Sequence, residues 1–393
     1  MKYDVELLTV MKQDGNLTKN IETVGTWYLP RMKKQKTAGV FKYENGQILV
    51  DFQNHLPFKR DWIESVDYPI VFGDTRLGPV TLTKVSLSPY IASGHAYTVV
   101  VGKHLKKDSF KHLAFGFDIL TEWTMQKMTQ QGRQHYKFTY DGITCELSTS
   151  VGRGVHAIKG SSNYRMSSFI ITTKKYREFT ELIKFIHGIK YFLMICTGRN
   201  MTLDFMTSYI DNKRCDIYLP TQKYDERGHF FEHYINLPSI EKRYSKILTK
   251  WMEFYFKNKF MIDMFCDTMN KRTIDIFDFY AYAATLNGYY KATHKIKQEP
   301  KIDEDKFKMQ VKDVLKSFET DSSNLPQFIN EVVKARHDMF HFNERDTLDP
   351  EPISRLTHDL YFLIRILLLN QVGINLKLAD LQQKPKFIYL KRN

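Results

Sequence analysis

The sequence predicts an α+β protein, with an N-terminal antiparallel β-rich, sandwich-like domain followed by a C-terminal all-α helical bundle. Three observations lead to this fold class. The chain has 393 residues, which is long for a single core and suggests two domains. Residues from about 20 to 170 form short β-prone runs, whereas nearly everything after Pro238 has helical periodicity. We therefore expect domains at residues 1–236 and 237–393.

The N-terminal half is rich in β-branched and aromatic residues, interrupted by turn signals such as Asn45-Gly46 and Asp141-Gly142. Many short strands with close turns are typical of an antiparallel sandwich or barrel. Residues 175–196 are an exception, because their apolar residues recur at helical spacing and predict a helix. The predicted strands are GTWYLP, GVFKYE, QILVDF, YPIVFG, PVTLTKVSL, AYTVVVG, LAFGFDIL, HYKFTY and ITCELSTS, and after the helix MTLDFMTSY and CDIYLP.

The C-terminal half contains five predicted helices joined by short connections, which indicates a compact bundle. Pro326 and Pro352 stand near the starts of the last two, where proline is tolerated. Gly288 weakens the middle of the second helix. The predicted helices are residues 239–258, 273–294, 305–319, 325–342 and 351–371.

Composition narrows the class of protein and of partner. Hydrophobic residues make up 42% and charged residues 26%, the balance of a folded soluble chain. The net charge of +14 increases the rate of encounter with phosphate-rich partners. Alternatively, the basic excess serves only to keep the protein soluble. The exposed-looking run RMKKQK (31–36) either holds a nucleic-acid backbone or is a solvated loop.

The cysteines and the apolar segments indicate where the protein works. The four cysteines form no Cys-x2-Cys pair, which argues against a zinc site and favours a reducing compartment. No signal peptide is evident, and the longest apolar run, YFLIRILLL, contains Arg365. We expect a cytoplasmic protein with no membrane association, no metal and no cofactor.

The segment RHDMFH places Arg336 and His341 on the fourth predicted helix. Chance alone gives about 0.6 occurrences of Arg-x4-His in a chain of this composition. The spacing therefore indicates a site only if its position on the helix supports one. On an ideal helix Arg336 lies at the edge of the apolar stripe, and His341 lies about 140° round and roughly 7.5 Å further along. The stripe consists of Phe328, Ile329, Val332, Val333 and Phe340.

These residue types suit the cleavage of a phosphodiester. Arg336 keeps its charge and presents a planar fork of donors to phosphate oxygens. His341 titrates near neutrality and can move a proton, and the adjacent His337 is an alternative carrier. The competing interpretation is a solvated helix face. A second pair, Arg227 and His233, has similar spacing but falls in an expected loop.

Aromatic residues of the N-terminal half offer a further candidate surface. Trp27, Tyr28 and Trp62 could bind a ligand, but strand aromatics are more often core, and we expect core positions for them.

Two groups of residues resemble a known family. The C-terminal bundle with Arg336-His337-Asp338-Met339-Phe340-His341 resembles HEPN domains. The phrases GTWYLP (25–30), Gly39-Val40-Phe41 and PIVFGDTRLGPVTL (69–82) are similar to the N-terminal domain of the ApeA family of bacterial anti-phage proteins, which join a β-rich domain to a HEPN nuclease domain. The resemblance spans most of the chain, in the expected order.

The resemblance implies site residues. Arg336 and His341 fall on the Arg and His of the HEPN motif, and His337 falls on its polar position, where Asn or Asp is more usual. Many relatives carry a Glu on an earlier helix, where this chain has Asn287. The acidic helper is therefore either missing or supplied elsewhere, for example by Asp278.

The resemblance also implies a function and partners. We expect an anti-phage RNA endonuclease of the metal-independent HEPN type, acting on a structured RNA such as tRNA. Its partners would be a phage-derived protein trigger and further copies of the chain, in a homodimer or higher homo-oligomer formed through the HEPN domain. Two alternatives stay open: a catalytically inactive module that binds RNA or protein, and a protein-sensing scaffold.

Overall fold

The computed structural model describes residues 17, 19–57, 66–88, 90–124, 133–153, 163–221, 235–269, 276–294, 304–316, 325–340 and 350–376. The chain divides into two compact units. The first comprises Met1–Ile186 with Met201–Tyr224, and the second comprises His187–Asn200 with Asp225–Asn393. The boundary between residues 236 and 237 that the sequence suggests stays a prediction.

Thirteen strands form one sheet within the described part of the first unit. They are accompanied by the short helix α1 (Leu120–Trp123), and the long helix α2 (Phe179–Thr197) begins in this unit. The strands are β1 (Ile21–Tyr28), β2 (Thr37–Glu44), β3 (Gln47–Phe52), β4 (Val66–Thr75), β5 (Gly78–Leu87), β6 (Ser93–His95), β7 (Thr98–Val101), β8 (Ser109–Phe117), β9 (Arg133–Tyr140), β10 (Ile143–Arg153), β11 (Asn163–Glu178), β12 (Leu203–Ile210) and β13 (Lys213–Tyr218).

The sheet is antiparallel and partly closed. Six strands form a ring in the order β4-β1-β2-β3-β6-β5, which closes because β5 also pairs with β4. The sheet then continues from β5 through β7-β13-β12-β8-β11-β10-β9. The prediction of an antiparallel β-rich N-terminal domain is confirmed, and the pairing shows a small barrel with an open extension.

The barrel core brings together the two phrases that carry the family resemblance. Trp27 on β1 pairs with Gly73 on β4, and the Trp27 side chain is fully buried. A Cβ atom at residue 73 would lie 2.3 Å from Trp27 Cζ3, so only glycine leaves room for the indole. Tyr28 is also buried, which confirms the core positions predicted for both residues; Trp62 lies outside the described residues.

The basic segment 31–36 is an exposed turn between β1 and β2. The Met32 amide donates to the Leu29 carbonyl at 2.9 Å, which closes the turn. The Lys36 ammonium lies 3.0 Å from an Asp74 carboxylate oxygen and 4.8 Å from the centre of the Tyr28 ring. The segment is therefore anchored to the barrel at its end, and binding of nucleic acid there stays a prediction.

The first residues of the helix predicted at 175–196 belong instead to a strand. Arg177 pairs with Phe110 and Glu178 pairs with Ser109, so helix α2 begins only at Phe179. Strand β11 as a whole was not predicted from the sequence. It pairs with the preceding strand β10 and, on its other side, with the more distant β8. At Arg177 and Glu178 the pairing with β8 overrides the local helical pattern.

The second unit is helical in all its described parts. The predicted helical bundle is confirmed, but residues 259–268 form a further helix that the sequence patterns did not separate from their neighbours. Besides the end of α2, the helices are α3 (Leu237–Ile240), a 3-10 turn (Glu241–Arg243), α4 (Tyr244–Lys257), α5 (Lys259–Thr268), α6 (Ile276–Thr293), α7 (Glu304–Lys316), α8 (Leu325–Phe340) and α9 (Pro350–Gln371). None of the helices in the parts of the chain described here is both long and apolar enough to cross a membrane.

Helix α6 is at the centre of this unit, in contact with α5, α7 and α9. The rings of Phe265, Tyr282 and Tyr361 lie 5.4–5.9 Å apart and join α5, α6 and α9. Gly288, which weakens α6 as an isolated helix, has a packing role. A Cβ there would come within 3.1 Å of the Met261 side chain, so the glycine permits close approach of α5.

Arg365 is a buried cation in the otherwise aliphatic helix α9, with 3% of its surface exposed. Its Nε donates to the Ile195 carbonyl at 2.9 Å and its Nη2 to the Cys196 carbonyl at 3.3 Å. These carbonyls belong to the last turn of α2, where helix groups lack intrahelical partners and the helix dipole favours a cation. Arg365 therefore caps α2 from a different helix.

Replacing Arg365 with Met is expected to lower the free energy of unfolding by about 1–3 kcal/mol, because the buried Ile195 carbonyl loses its donor. Arg365→Lys should be less destabilising, since the ammonium retains the charge and one donor. Urea unfolding followed by circular dichroism measures both. A Met variant as stable as the wild type would contradict the capping role.

Gly73→Ala is expected to destabilise the protein by about 1–3 kcal/mol, because the new methyl group overlaps the indole of Trp27. Trp27→Phe reduces the ring size and should cost less in the Gly73→Ala background than in the wild type. The wild type, the two single variants and the double variant form a double-mutant cycle, and thermal unfolding measures the stability of each. Additive effects would show that the two positions do not compete for space.

Candidate active site

The candidate site lies on helix α8, whose buried face follows the stripe expected from the sequence. Its buried described side chains are Phe328, Ile329, Val332, Val333 and Ala335. Arg336 follows Ala335 and is half-buried, at the edge of this face as predicted. The helix therefore holds Arg336 at the boundary between its buried and exposed faces.

The guanidinium group of Arg336 packs on an aromatic ring of the preceding helix. Its Cζ atom lies 4.4 Å from the centre of the Phe307 ring, and Phe307 is buried on α7. Helices α7 and α8 pack against each other, which fixes this pair. The short distance is that of a cation–π contact, in which the ring face attracts the positive charge.

Burial lowers the pKa of Arg336 from its ordinary value. An arginine nevertheless remains charged at neutral pH, because its ordinary pKa lies far above seven. A guanidinium carries five N–H donors in its plane, a geometry that suits pairs of phosphate oxygens. The contact with the Phe307 ring limits the positions that this group can take.

The structure describes only part of the predicted set of site residues. His337 is exposed on the last turn of α8, directly after Arg336. His341 lies outside the described residues, as does the second pair, Arg227 and His233. The roles of Arg336, His337 and His341 therefore stay predictions.

Asn287, which stands where many relatives carry Glu, and Asp278, the possible acidic replacement, both lie on α6. Asp278 is 1% exposed, close enough to Tyr282 that its charge adds to the effect of burial in raising the pKa of that phenol. Asn287 has a buried Oδ1 atom with no hydrogen-bond partner among the residues that the structure describes. A buried acceptor of this kind is costly unless a donor reaches it. Asn287 therefore cannot be dismissed as a solvated surface residue.

Phe307 was not selected from the sequence as a site residue. Its spacing from Val311, Val314 and Leu315 marks it as part of the buried face of α7, and all four are buried. That pattern predicts a core position but not the helix that packs against it. Only the tertiary arrangement shows that its ring supports Arg336.

All four cysteines, which the sequence argued against as a zinc site, are free thiols and are buried. Burial raises the pKa of each of the four thiols, so the protonated form is favoured. They behave as small core residues.

An antiparallel barrel followed by a helical bundle with an arginine-histidine segment on its penultimate described helix defines the class: an α+β protein with a HEPN domain. The family of ApeA N-terminal domain 1 matches residues 22–251, and that of the Apea-like HEPN domain matches residues 270–378. Because the first match alone covers more than half of the chain, the protein belongs to the ApeA family, an anti-phage family with a C-terminal HEPN domain. The chain has no match among curated proteins and none among solved structures.

A double-mutant cycle tests the contact between Arg336 and Phe307. Phe307→Leu preserves an apolar side chain but removes the ring, and Arg336→Met preserves the stem but removes the charge. The coupling free energy between the two changes is expected to be about 0.5–2 kcal/mol, the range for a cation–π contact, measured by urea unfolding. A coupling near zero would mean that the ring does not hold the guanidinium in solution.

Proposed function

We propose that the helical unit is a metal-independent endoribonuclease in which Arg336 binds the scissile phosphate and His341 transfers protons. The observation that carries the proposal is the half-buried guanidinium of Arg336 stacked on Phe307. Family membership and the position of the Arg336–His341 segment within the HEPN match agree with it.

The chemistry requires two proton transfers. One imidazole removes the proton from the ribose 2′-hydroxyl, and the 2′-oxygen then forms a bond to phosphorus. The bond from phosphorus to the 5′-oxygen breaks, and a second group returns a proton to that oxygen. The products are a 2′,3′-cyclic phosphate and a 5′-hydroxyl, and neither water nor an external nucleophile is consumed.

Arg336 would act on the charge that develops during this reaction. Its in-plane donors suit a pair of phosphate oxygens, whose negative charge grows in the transition state. The ring of Phe307 fixes the guanidinium before substrate arrives, so less conformational freedom is lost on binding. Removal of the charge should therefore reduce the rate of cleavage as well as the affinity for RNA.

In this proposal the two proton carriers come from different copies of the chain. A homodimer or larger homo-oligomer would bring His341 of a second copy to the same scissile phosphate, so that one imidazole acts as acid and the other as base. His337 is the alternative carrier, because it is exposed next to Arg336.

The substrate and the trigger follow from charge and from the consequences for the host. The net charge of +14 favours a phosphate-rich partner, and the family resemblance leads us to propose a structured RNA such as tRNA as the substrate. Because uncontrolled cleavage of RNA would harm the host, we propose that a phage-derived protein activates the enzyme.

A second candidate function is a binding module without catalysis. It is favoured by Asn287, an amide where many relatives carry a carboxylate, with its buried oxygen lacking a described partner. In that case Arg336 would bind RNA phosphate without promoting cleavage. Salt-dependent RNA binding with no cleavage in extracts of infected cells would support this function.

To test the proposal, the purified full-length protein is incubated with total RNA in EDTA, with and without extract from phage-infected cells. The new RNA ends are then mapped. We expect cyclic phosphate and 5′-hydroxyl ends. Arg336→Ala and His341→Ala should each lower the rate by about 10²–10⁴-fold, the usual contribution of a positioned acid–base group or charge-stabilising donor.

Two further variants make this experiment specific. Lys334→Ala removes an exposed cation from the same helix and should leave cleavage unchanged. His337→Ala distinguishes the two possible proton carriers. Loss of cleavage on chelation, or full activity of His341→Ala and His337→Ala alike, would disprove the mechanism.

A further inference from the structure

A cleft of about 510 Å³ opens on the sheet of the first unit, and none of the residues of the proposed nuclease site lines it. It lies over strands β8, β11 and β12 and ends at the turn between β12 and β13. Clefts that bind small molecules commonly have volumes in this range. Its lining includes Lys111, His112, Ala114, Tyr176, Tyr209 and Asn212.

Three neighbouring strands supply the floor of the cleft. Ala114 on β8 pairs with Ile170 on one side and Thr207 on the other, so these three lining residues point to one face of the sheet. Ala114 and Thr207 have short side chains, which leaves room above them for a ligand.

A β-bulge forms the first wall. Thr172 pairs with His112 and Arg177 pairs with Phe110, so residues 173–176 of β11 lie opposite Lys111 alone. The Thr173 hydroxyl donates to the Lys175 carbonyl at 2.7 Å and closes the bulge on itself. Bulges of this kind redirect side chains and are common beside binding sites.

The bulge places a cation and a ring together at the cleft. The Lys111 ammonium lies 4.9 Å from the centre of the Tyr176 ring, and Tyr176 is 57% exposed. Lys174 and Lys175, in the same bulge, are also exposed. An exposed tyrosine beside three lysines offers a stacking surface next to positive charge.

The second wall is the β12–β13 turn. Asp211 and Asn212 adopt positive φ angles of 50° and 62°, the geometry of a tight hairpin turn. The Asp211 carboxylate pairs with Lys103, so its negative charge is compensated. Tyr209, just before the turn, supplies a second aromatic residue to the lining.

His112 contributes a neutral polar group to the floor. Burial, with a smaller contribution from the charge of Lys111, lowers its pKa below the ordinary value. At pH 7 the imidazole is therefore uncharged and can both donate and accept hydrogen bonds.

We propose that this cleft binds a nucleoside phosphate, with the base between Tyr176 and Tyr209 and the phosphate near Lys111. The two phenol rings of the lining match the base, and the lysines beside Tyr176 match the phosphate. The same chemistry is present in a free nucleotide and in the terminal nucleotide of an RNA strand. The site is independent of the proposed nuclease residues, since none of them lines it.

Isothermal titration calorimetry on the full-length Arg336→Ala protein tests the proposal, because that background prevents the proposed cleavage without touching the cleft. The probes are AMP, adenosine, ribose 5-phosphate and a single-stranded pentaribonucleotide with or without a 5′-phosphate. AMP is expected to bind, and adenosine and ribose 5-phosphate should each bind more weakly, because each lacks one part of the ligand. Tighter binding of the phosphorylated pentaribonucleotide than of AMP would identify an RNA end as the source.

Variants at the cleft locate the binding. Tyr176→Ala and Lys111→Ala should each weaken AMP binding about tenfold, the effect of one stacking or phosphate contact. Tyr90→Ala and Lys257→Ala remove an exposed tyrosine and an exposed lysine elsewhere and should have no effect. The proposal is overturned if no nucleotide or oligonucleotide binds at millimolar concentration, if adenosine binds as well as AMP, or if the cleft variants bind normally.

Discussion

The buried guanidinium of Arg365 ties together two helices of the helical unit. It couples the middle of α9 to the last turn of α2 through two carbonyl oxygens, so two helices distant along the chain share one hydrogen-bonded end. Helix α9 in turn packs against α6 and α8, and α8 carries the candidate site. An arginine removed from water needs such partners, because an unsatisfied buried cation is severely destabilising.

Arg336 shows a different use of the same side chain. Arg365 is buried and donates to two carbonyl oxygens at a helix end, whereas Arg336 is half-buried with its guanidinium close to the ring of Phe307. The first arrangement caps a buried helix end and suits stability. The second holds a cation at the edge of a helix bundle, and this difference supports our proposal that Arg336 binds phosphate.

Much of the fold could be predicted from local sequence patterns, and what could not be predicted depends on distant pairing. Period-two alternation and turn residues located most strands, and helical spacing located α6, α7, α8 and α9. The closure of the barrel depends on β5 pairing with both β4 and β6, which no local pattern specifies. The same holds for the site: the edge position of Arg336 follows from periodicity, but its support by Phe307 requires the packing of two helices.

The bulge in β11 has a consequence for how the family can diversify. Residues 173–176 face a single residue of β8, and pairing with that strand resumes beyond them. A change of length or sequence in this segment would therefore disturb the register of the strand less than the same change in a regularly paired part. If the cleft binds a ligand as we propose, exchange of these residues would alter ligand preference while the buried strands beneath stay the same.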